Sequence, residues 1–387
     1  MLTRATFKNF KSLADVAIDL SDFTVLVGPN GCGKTSILQG IHYASQVGLP
    51  AAADAASRGE LLGKLFAGRR DPRRLVRSGA SRIELGLERA DDRLSISLEI
   101  PGAIDARPRI TVGVASASRA PVVLPAGNAT AARAAGTYLR SPAVRAFSSV
   151  VFLQLDAAKM VLPSASDDEQ PRLEFDGEGL ASVLAYLAGA EPETKEMIEQ
   201  DLRAIVPQVR GIRTYPERVA RQGVRPFIVG DRAVEVPETQ WVPGHRFSLD
   251  MFGGGSVPAD LLSEGTVIAL GLLTALHTRS RPALVLLDDI DQALHLSAQH
   301  RLIRALRTLQ AGTRPFQIVC TSHSPYLVDA LEASEVRVAR LDNQGHSVVR
   351  ALSDAPDFER WREALRAGEL WASLGEDWVG AETHDGS

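Results

Sequence analysis

Residues 28–36 read GPNGCGKTS, and their spacing is that of a cradle for the phosphates of a nucleoside triphosphate. Gly28, Gly31 and Gly33 let successive backbone N–H groups turn inward. Asn30 stands at the loop's tip, and Lys34 can reach the β- and γ-oxygens. Thr35 offers a hydroxyl to Mg²⁺, with Ser36 following at the helix start. The apolar run Phe23–Val27 feeds the loop as a buried strand, and Ile37-Leu38 open the helix after it.

Three distant segments supply the other groups such chemistry needs. Ala283–Leu287 reads as a buried parallel strand ending in Asp288-Asp289, where one carboxylate could hold a divalent cation and the next orient a water. Phe316–Cys320 is a second buried strand, followed by Thr321-Ser322-His323-Ser324-Pro325. LLSEGT, residues 261–266, precedes an apolar helix over Val267–Leu276. Ser263 is its expected N-cap, and the N–H groups of Glu264, Gly265 and Thr266 form a second anion-facing helix end.

Together these four segments resemble an ABC-type ATPase of the SMC/RecF-like branch, close to the bacterial AAA15/AAA21 and OLD-type ATPases. The opening Thr6–Leu13 (TFKNFKSL) and Asp176–Leu184 (DGEGLASVL) are similar to segments of that family. The resemblance implies an α/β, two-lobed P-loop ATPase with a mixed N-terminal β lobe and a helical or inserted middle segment. Two protomers would sandwich ATP between the loop of one chain and the signature, Ser263 and Gly265, of the other. Lys34 would neutralise phosphate charge, Thr35 and Asp288 would hold Mg²⁺, Asp289 would polarise water and His323 would contact the γ-phosphate. Gln154, in the strand-like Val150–Leu155, would link the lobes. The family usually places Glu where this chain has Asp289. Loss of one methylene withdraws the carboxylate by roughly 1.5 Å, and a misplacement of that size can cost about a hundredfold in rate, so slow hydrolysis is expected.

The expected organisation is residues 1–60 as the first part of lobe I, 61–210 completing it with a basic and acidic insertion, 211–335 as lobe II, and 336–387 as a C-terminal strand, helix and Trp-rich tail. A chain of 387 residues with 45% apolar composition and no run long enough to cross a bilayer implies a protein without a membrane span. The opening MLTRATFKNF lacks an apolar signal core, and Cys32 and Cys320 sit inside motifs, which together point to a cytoplasmic, reducing compartment. No internal repeat and no heptad run of coiled-coil length is present.

Formal net charge is −4, but charge is unevenly placed. Between Leu62 and Arg82, Lys64, Arg69, Arg70, Arg73, Arg74, Arg77 and Arg82 face one acid, Asp71. Asp71-Pro72 would start a short helix with Arg73, Arg74 and Arg77 on one face, a surface suited either to solvent or to a DNA backbone. Residues 103–150 carry a second set of arginines in Ala-, Pro- and Gly-rich sequence, while 165–201 are acidic. Cys32 lies beside Lys34 at a helix start, which would lower its thiol pKa. Phe358, Trp361 and Leu365 recur at helical spacing, as expected of a helix packing back on lobe II.

The resemblance thus implies an ATP-dependent homodimer that gates a DNA-directed process. The settings it suggests are anti-phage defence with a separately encoded effector, since few residues follow His323, or RecF-type DNA repair. A scaffold locked by ATP without turnover is the alternative that Asp289 favours. A transporter ATPase fits the opening and DDIDQALH less well.

Overall fold

The computed structural model describes residues 1–47, 75–90, 92–99, 109–116, 119–125, 147, 149–229, 232–278, 282–313 and 315–380. They form two compact units interleaved along the chain. One unit contains residues 1–152, 282–291 and 308–387; the other contains 153–281 and 292–307.

The first unit is built on two sheets. Strands β1 (Arg4–Phe10) and β2 (Leu13–Asp19) form an antiparallel hairpin, and β4 (Arg82–Arg89), β5 (Asp92–Glu99), β6 (Arg109–Ser116) and β7 (Arg119–Pro125) extend it in the order β2-β1-β4-β5-β6-β7. Buried Ala5 and Phe7 alternate with exposed Arg4 and Lys8, the pattern of a sheet with one face on a core, and Phe10 is buried at the strand's end. The second sheet runs β15 (Ser347–Ala351), β14 (Val336–Leu341), β3 (Phe23–Val27), β13 (Gln317–Thr321), β12 (Leu284–Leu287), β8 (Val150–Leu153). Within it β14, β3, β13 and β12 are parallel. All five residues of β3 and of β13 are buried, as expected of strands covered on both faces. The helix after the loop, α1 (Lys34–Val47), packs Ile37, Leu38 and Ile41 into the same core as Phe7, Phe10 and Leu26.

The second unit holds helices α2 (Leu180–Ala190), α3 (Pro192–Ile205), α4 (Glu264–His277) and most of α5 (Leu296–Gln310). It also holds a three-stranded sheet ordered β11 (Gly255–Pro258), β10 (Arg232–Met251), β9 (Val209–Val229). Helix α4 is apolar all round and buried from Gly265 through Thr274, which marks an interior helix. The DGEGL segment makes a capped corner. Asp176 is buried and ion-paired with Lys159, its Oδ1 accepts the Glu178 N–H, and Gly179 with φ 90° opens α2.

Several expectations change here. The strand through Val150 stops at Leu153, because the Gln154 N–H bonds the Phe175 carbonyl at 2.8 Å. The helix at Phe358 lasts only to Trp361, which is 36% exposed; the buried tryptophan is Trp371, on α6 (Ala367–Leu374), with its indole N–H donated to Glu376. Gly368 sets α6 against the Ser324–Val328 turn, where a Cβ would fall 1.9 Å from the Pro325 carbonyl. Among the described residues, no helix is long and apolar enough to cross a membrane.

Candidate functional site

The loop between β3 and α1 has the shape its sequence demands. Gly28 and Gly33 have φ of 136° and 104°, values open to glycine alone at little cost. Each is also pressed from behind: a Cβ on Gly28 would lie 2.0 Å from the Ala339 carbonyl, and one on Gly33 would lie 2.4 Å from the Ser347 hydroxyl. Ser347 is itself bonded to Ser12, Oγ to Oγ at 2.8 Å. The loop thus rests on β14, β15 and the β1–β2 turn. The residue before α1 is Gly33, which has no side chain to cap the helix, and no acid occupies its first turn, so the N–H groups and dipole there favour an anion entering the loop. Asn30 and Gly31 are exposed, and Thr35 and Ser36 are half-buried. Lys34 is buried, its ammonium donating to the carbonyls of Gly28 (2.7 Å) and Pro29 (3.0 Å).

Parallel pairing of β3, β13 and β12 brings the distant segments to this loop. Thr35 Oγ1 donates to Asp288 Oδ1 at 3.0 Å, and Thr321 Oγ1 lies 2.9 Å from the same oxygen. Thr321 Oγ1 also accepts the Asp289 N–H at 2.7 Å and lies 3.3 Å from Asp289 Oδ1. Thr321 therefore ties the Asp288 carboxylate and the Asp289 backbone to the end of β13, a role the sequence does not show although the segment stands out in it. Asp289 adopts φ 50°, a left-handed conformation Asp tolerates better than most residues. Its carboxyl is raised above the usual range, first by partial burial and then by the neighbouring Asp288, with His323 acting in the opposite direction. His323 Nε2 lies 3.8 Å from Asp289 Oδ1, both side chains about half-exposed. The Asp291 carboxylate accepts the His323 backbone N–H at 3.3 and 3.4 Å, so Asp291 positions the histidine's loop.

In the second unit, Ser263 caps α4 as expected. Its Oγ accepts the Thr266 N–H at 3.4 Å and lies 2.8 Å from Thr266 Oγ1. Ser263 and Glu264 are exposed, whereas Gly265 is buried where a Cβ would meet the Ala293 carbonyl at 2.5 Å. Gln154 is half-buried in this unit, just past the end of β8.

Two expectations fail for clear physical reasons. Cys32 is 2% exposed, and burial raises its thiol pKa more than Lys34 and nearby backbone N–H groups lower it; Cys320, fully buried, is raised well above the usual value. The Cys32 thiol is therefore not activated. Arg77 is not helical: Val76 bridges to Phe10, the Arg77 N–H bonds Asn9 O at 3.0 Å, and its guanidinium meets His346. Arg69, Arg70, Arg73 and Arg74 lie outside the described residues.

A phosphate loop on a parallel sheet, with an acidic pair at the end of the second strand over, defines a P-loop ATPase domain. Residues 135–329, just over half of the chain, match the family described as "AAA domain, putative AbiEii toxin, Type IV TA system", and the chain belongs to it. Residues 1–48 match the AAA ATPase domain family. A curated relative, the OLD nuclease of Thermus scotoductus (strain ATCC 700910 / SA-01), is 51% identical over 41 residues, which are 11% of this chain and 8% of the nuclease. The chain thus matches only a small part of that relative's length. Among solved structures it is similar to the SMC head domain from Thermotoga maritima, at 17% identity, 90% coverage of this chain and 98% of that one, with TM-score 0.46. It is also similar to the SmcHead bound to the C-winged helix domain of ScpA, at 14% identity, 92% and 99% coverage, with TM-score 0.49.

Proposed function

We propose that this ATPase binds Mg·ATP, turns it over slowly and uses ATP-dependent homodimerisation to gate a DNA-directed process in the cytoplasm, most consistent with anti-phage defence through a separately encoded effector. The observation that supports it most is the hydrogen-bonded chain Thr35–Asp288–Thr321–Asp289 at the mouth of the phosphate loop. Thr35 and Asp288 present two hard oxygen donors side by side, a fit for Mg²⁺. The cation, when bound, neutralises charge on the phosphate oxygens. Lys34 leaves its carbonyl partners for the phosphates; Asp289, held by Thr321, accepts a proton from water; His323 lies close enough to Asp289 to orient that water or reach the γ-phosphate. The short Asp289 side chain and its ties to Thr321 limit its reach. That restraint favours slow turnover, and it gives weight to the second reading, an ATP-locked scaffold. RecF-type repair differs from defence in the partner served rather than in the site. The similarity to an OLD nuclease covers too little of that protein to assign nuclease activity here.

In the proposed dimer the exposed Ser263 and Glu264 at the start of α4 face the partner's nucleotide. Light scattering with Mg·ATP tests this, using Asp289→Asn to hold the nucleotide. The expected result is a dimer for Asp289→Asn and a monomer for the same protein carrying Ser263→Arg, with equal nucleotide affinity. A dimer in both would discard the signature helix as the interface, and unchanged phosphate release by Asp289→Asn would discard Asp289 as the base.

A further inference from the structure

Strands β9 and β10 are 21 and 20 residues long and pair with each other throughout, while β11 covers only Ser248–Met251 of β10. At about 3.4 Å per residue the ribbon is about 70 Å long, and a bare two-stranded ribbon is marginally stable in water. Its phase is visible at the base. His245 donates its N–H to Ser164 O and accepts from Ser164 N–H, at 2.8 and 3.0 Å, so its backbone points away from β9. Because the register runs unbroken from Arg232 to Asp250, Pro237, Thr239, Trp241 and Pro243 share that phase on β10, as do Pro216, Arg218, Ala220, Gln222, Val224 and Pro226 on β9. Prolines therefore fall at outward-pointing positions of both edges, where each removes a donor that a third strand would need. Addition of a strand to either edge is disfavoured, which leaves the faces.

One face is open over four rows, above the base where Phe247 and Leu249 are buried. Its rows are Pro243 with Arg218, Trp241 with Ala220, Thr239 with Gln222, and Pro237 with Val224, all exposed, Trp241 and Val224 at 59% each. The opposite face is partly covered: Arg221 pairs with Asp167 at 2.5 Å, and Gly244 is buried against Ser164 and Ala165. Exposed tryptophan on a ribbon is costly unless something covers it.

We infer that the open face is a self-association surface that stacks on the same face of a second copy of this chain. The pattern is self-complementary. A two-fold axis across the strands at the Thr239–Gln222 row lays the Trp241–Ala220 row over the partner copy's Pro237–Val224 row. Large Trp241 meets flat Pro237, small Ala220 meets Val224, and the polar pair Thr239 and Gln222 meets itself. No acidic residue occurs in these rows to pair with a cationic partner, and Arg218 is their one cation, too little for a nucleic-acid surface.

Crosslinking of the full chain without nucleotide by a short bismaleimide, whose reach covers the spacing of two stacked sheets, separates this contact from any ATP-driven one. Both native thiols are buried. Thr239→Cys is expected to give a covalent dimer, Gln240→Cys on the opposite face is not, and Trp241→Glu added to Thr239→Cys is expected to slow trapping at least about tenfold. Equal trapping of Thr239→Cys and Gln240→Cys, no trapping of Thr239→Cys, or indifference to Trp241→Glu would each overturn the proposal. So would a chain that stays monomeric while Trp241→Glu abolishes binding of duplex DNA or of another protein.

Discussion

Two helices begin at positions that can meet phosphate, and they begin differently. Helix α1 follows Gly33, which offers no capping side chain, has no acid in its first turn, and is preceded by a loop pressed into shape by Ala339 and Ser347. Helix α4 is capped by its own Ser263 and carries Glu264 in its first turn. An uncapped, acid-free start leaves N–H groups and dipole unopposed, whereas a serine cap and an adjacent carboxylate satisfy much of the same potential internally. On the proposed function, α1 would be the primary anion site and α4 a secondary one, suited to a phosphate already charge-compensated elsewhere, an order that agrees with nucleotide loading before the proposed dimerisation.

The sharpest way to break this contrast is Lys34→Ala. Loss of charge-assisted bonds to the β- and γ-phosphates is expected to weaken ATP binding by about a hundred- to a thousandfold, on the order of 3–4 kcal/mol. Titration with a fluorescent ATP analogue reads it, and near wild-type affinity would mean that α1 is not the primary site.

A test of the helix body comes next. His42 on α1 packs against Phe152, with ring centroids 5.7 Å apart, and its Nδ1 is buried without a hydrogen-bond partner. Burial lowers its pKa from 6.5 to about 4. The unfolded chain takes up this proton near 6.5 and the folded chain does not, so the stability tied to the neutral ring is full above that pH and falls as pH drops toward 4. The loss approaches about 3 kcal/mol. His42→Phe is expected to flatten this part of the pH dependence in urea unfolding between pH 7 and 4.5. An equally steep decline would show that the ring is solvated and α1 less firmly held.

Gly265→Ala probes the second helix in the same way. The new methyl would overlap the Ala293 carbonyl, and overpacking of this kind costs about 1–3 kcal/mol. A lowered urea midpoint is expected, and an unchanged one would mean that the Ala293 loop yields easily. The smallest effect belongs to Glu264→Gln. Removing a like charge from the start of α4 is expected to strengthen ATP-dependent dimerisation two- to fivefold, about 0.3–1 kcal/mol. Weaker dimerisation in sedimentation runs would show that Glu264 contacts the partner directly.

Much of the nucleotide site was legible because local sequence rules and the chemistry of the residue types coincide there. Phe23–Val27 could only be a buried strand, the glycines only a tight loop, and Ser263 before an apolar run only a cap. Thr321 was less legible, because a threonine at a strand end has no chemistry of its own until the neighbouring strand places two carboxylates beside it. Cys32 misled for a similar reason. Its sequence neighbours favour thiolate, but burial is a property of the assembled core and here outweighs them. Arg77 was placed on a helix face from the spacing of its arginine neighbours, yet its position is set by a bridge between Val76 and Phe10 and by His346, far along the chain.

What the sequence determined alone is therefore the inventory and its local shapes: a phosphate loop, two strands that end in chemistry, a capped signature helix and the family they define. The tertiary structure decided which of these groups touch. Parallel pairing of β3, β13 and β12 carries Thr35, Asp288, Asp289, Thr321 and His323 to one edge of one sheet. It also buried both thiols and left Trp241 exposed on a ribbon. Those outcomes depend on contacts between residues hundreds of positions apart, and on how much water the packed chain excludes, and neither quantity is encoded in any short stretch of sequence.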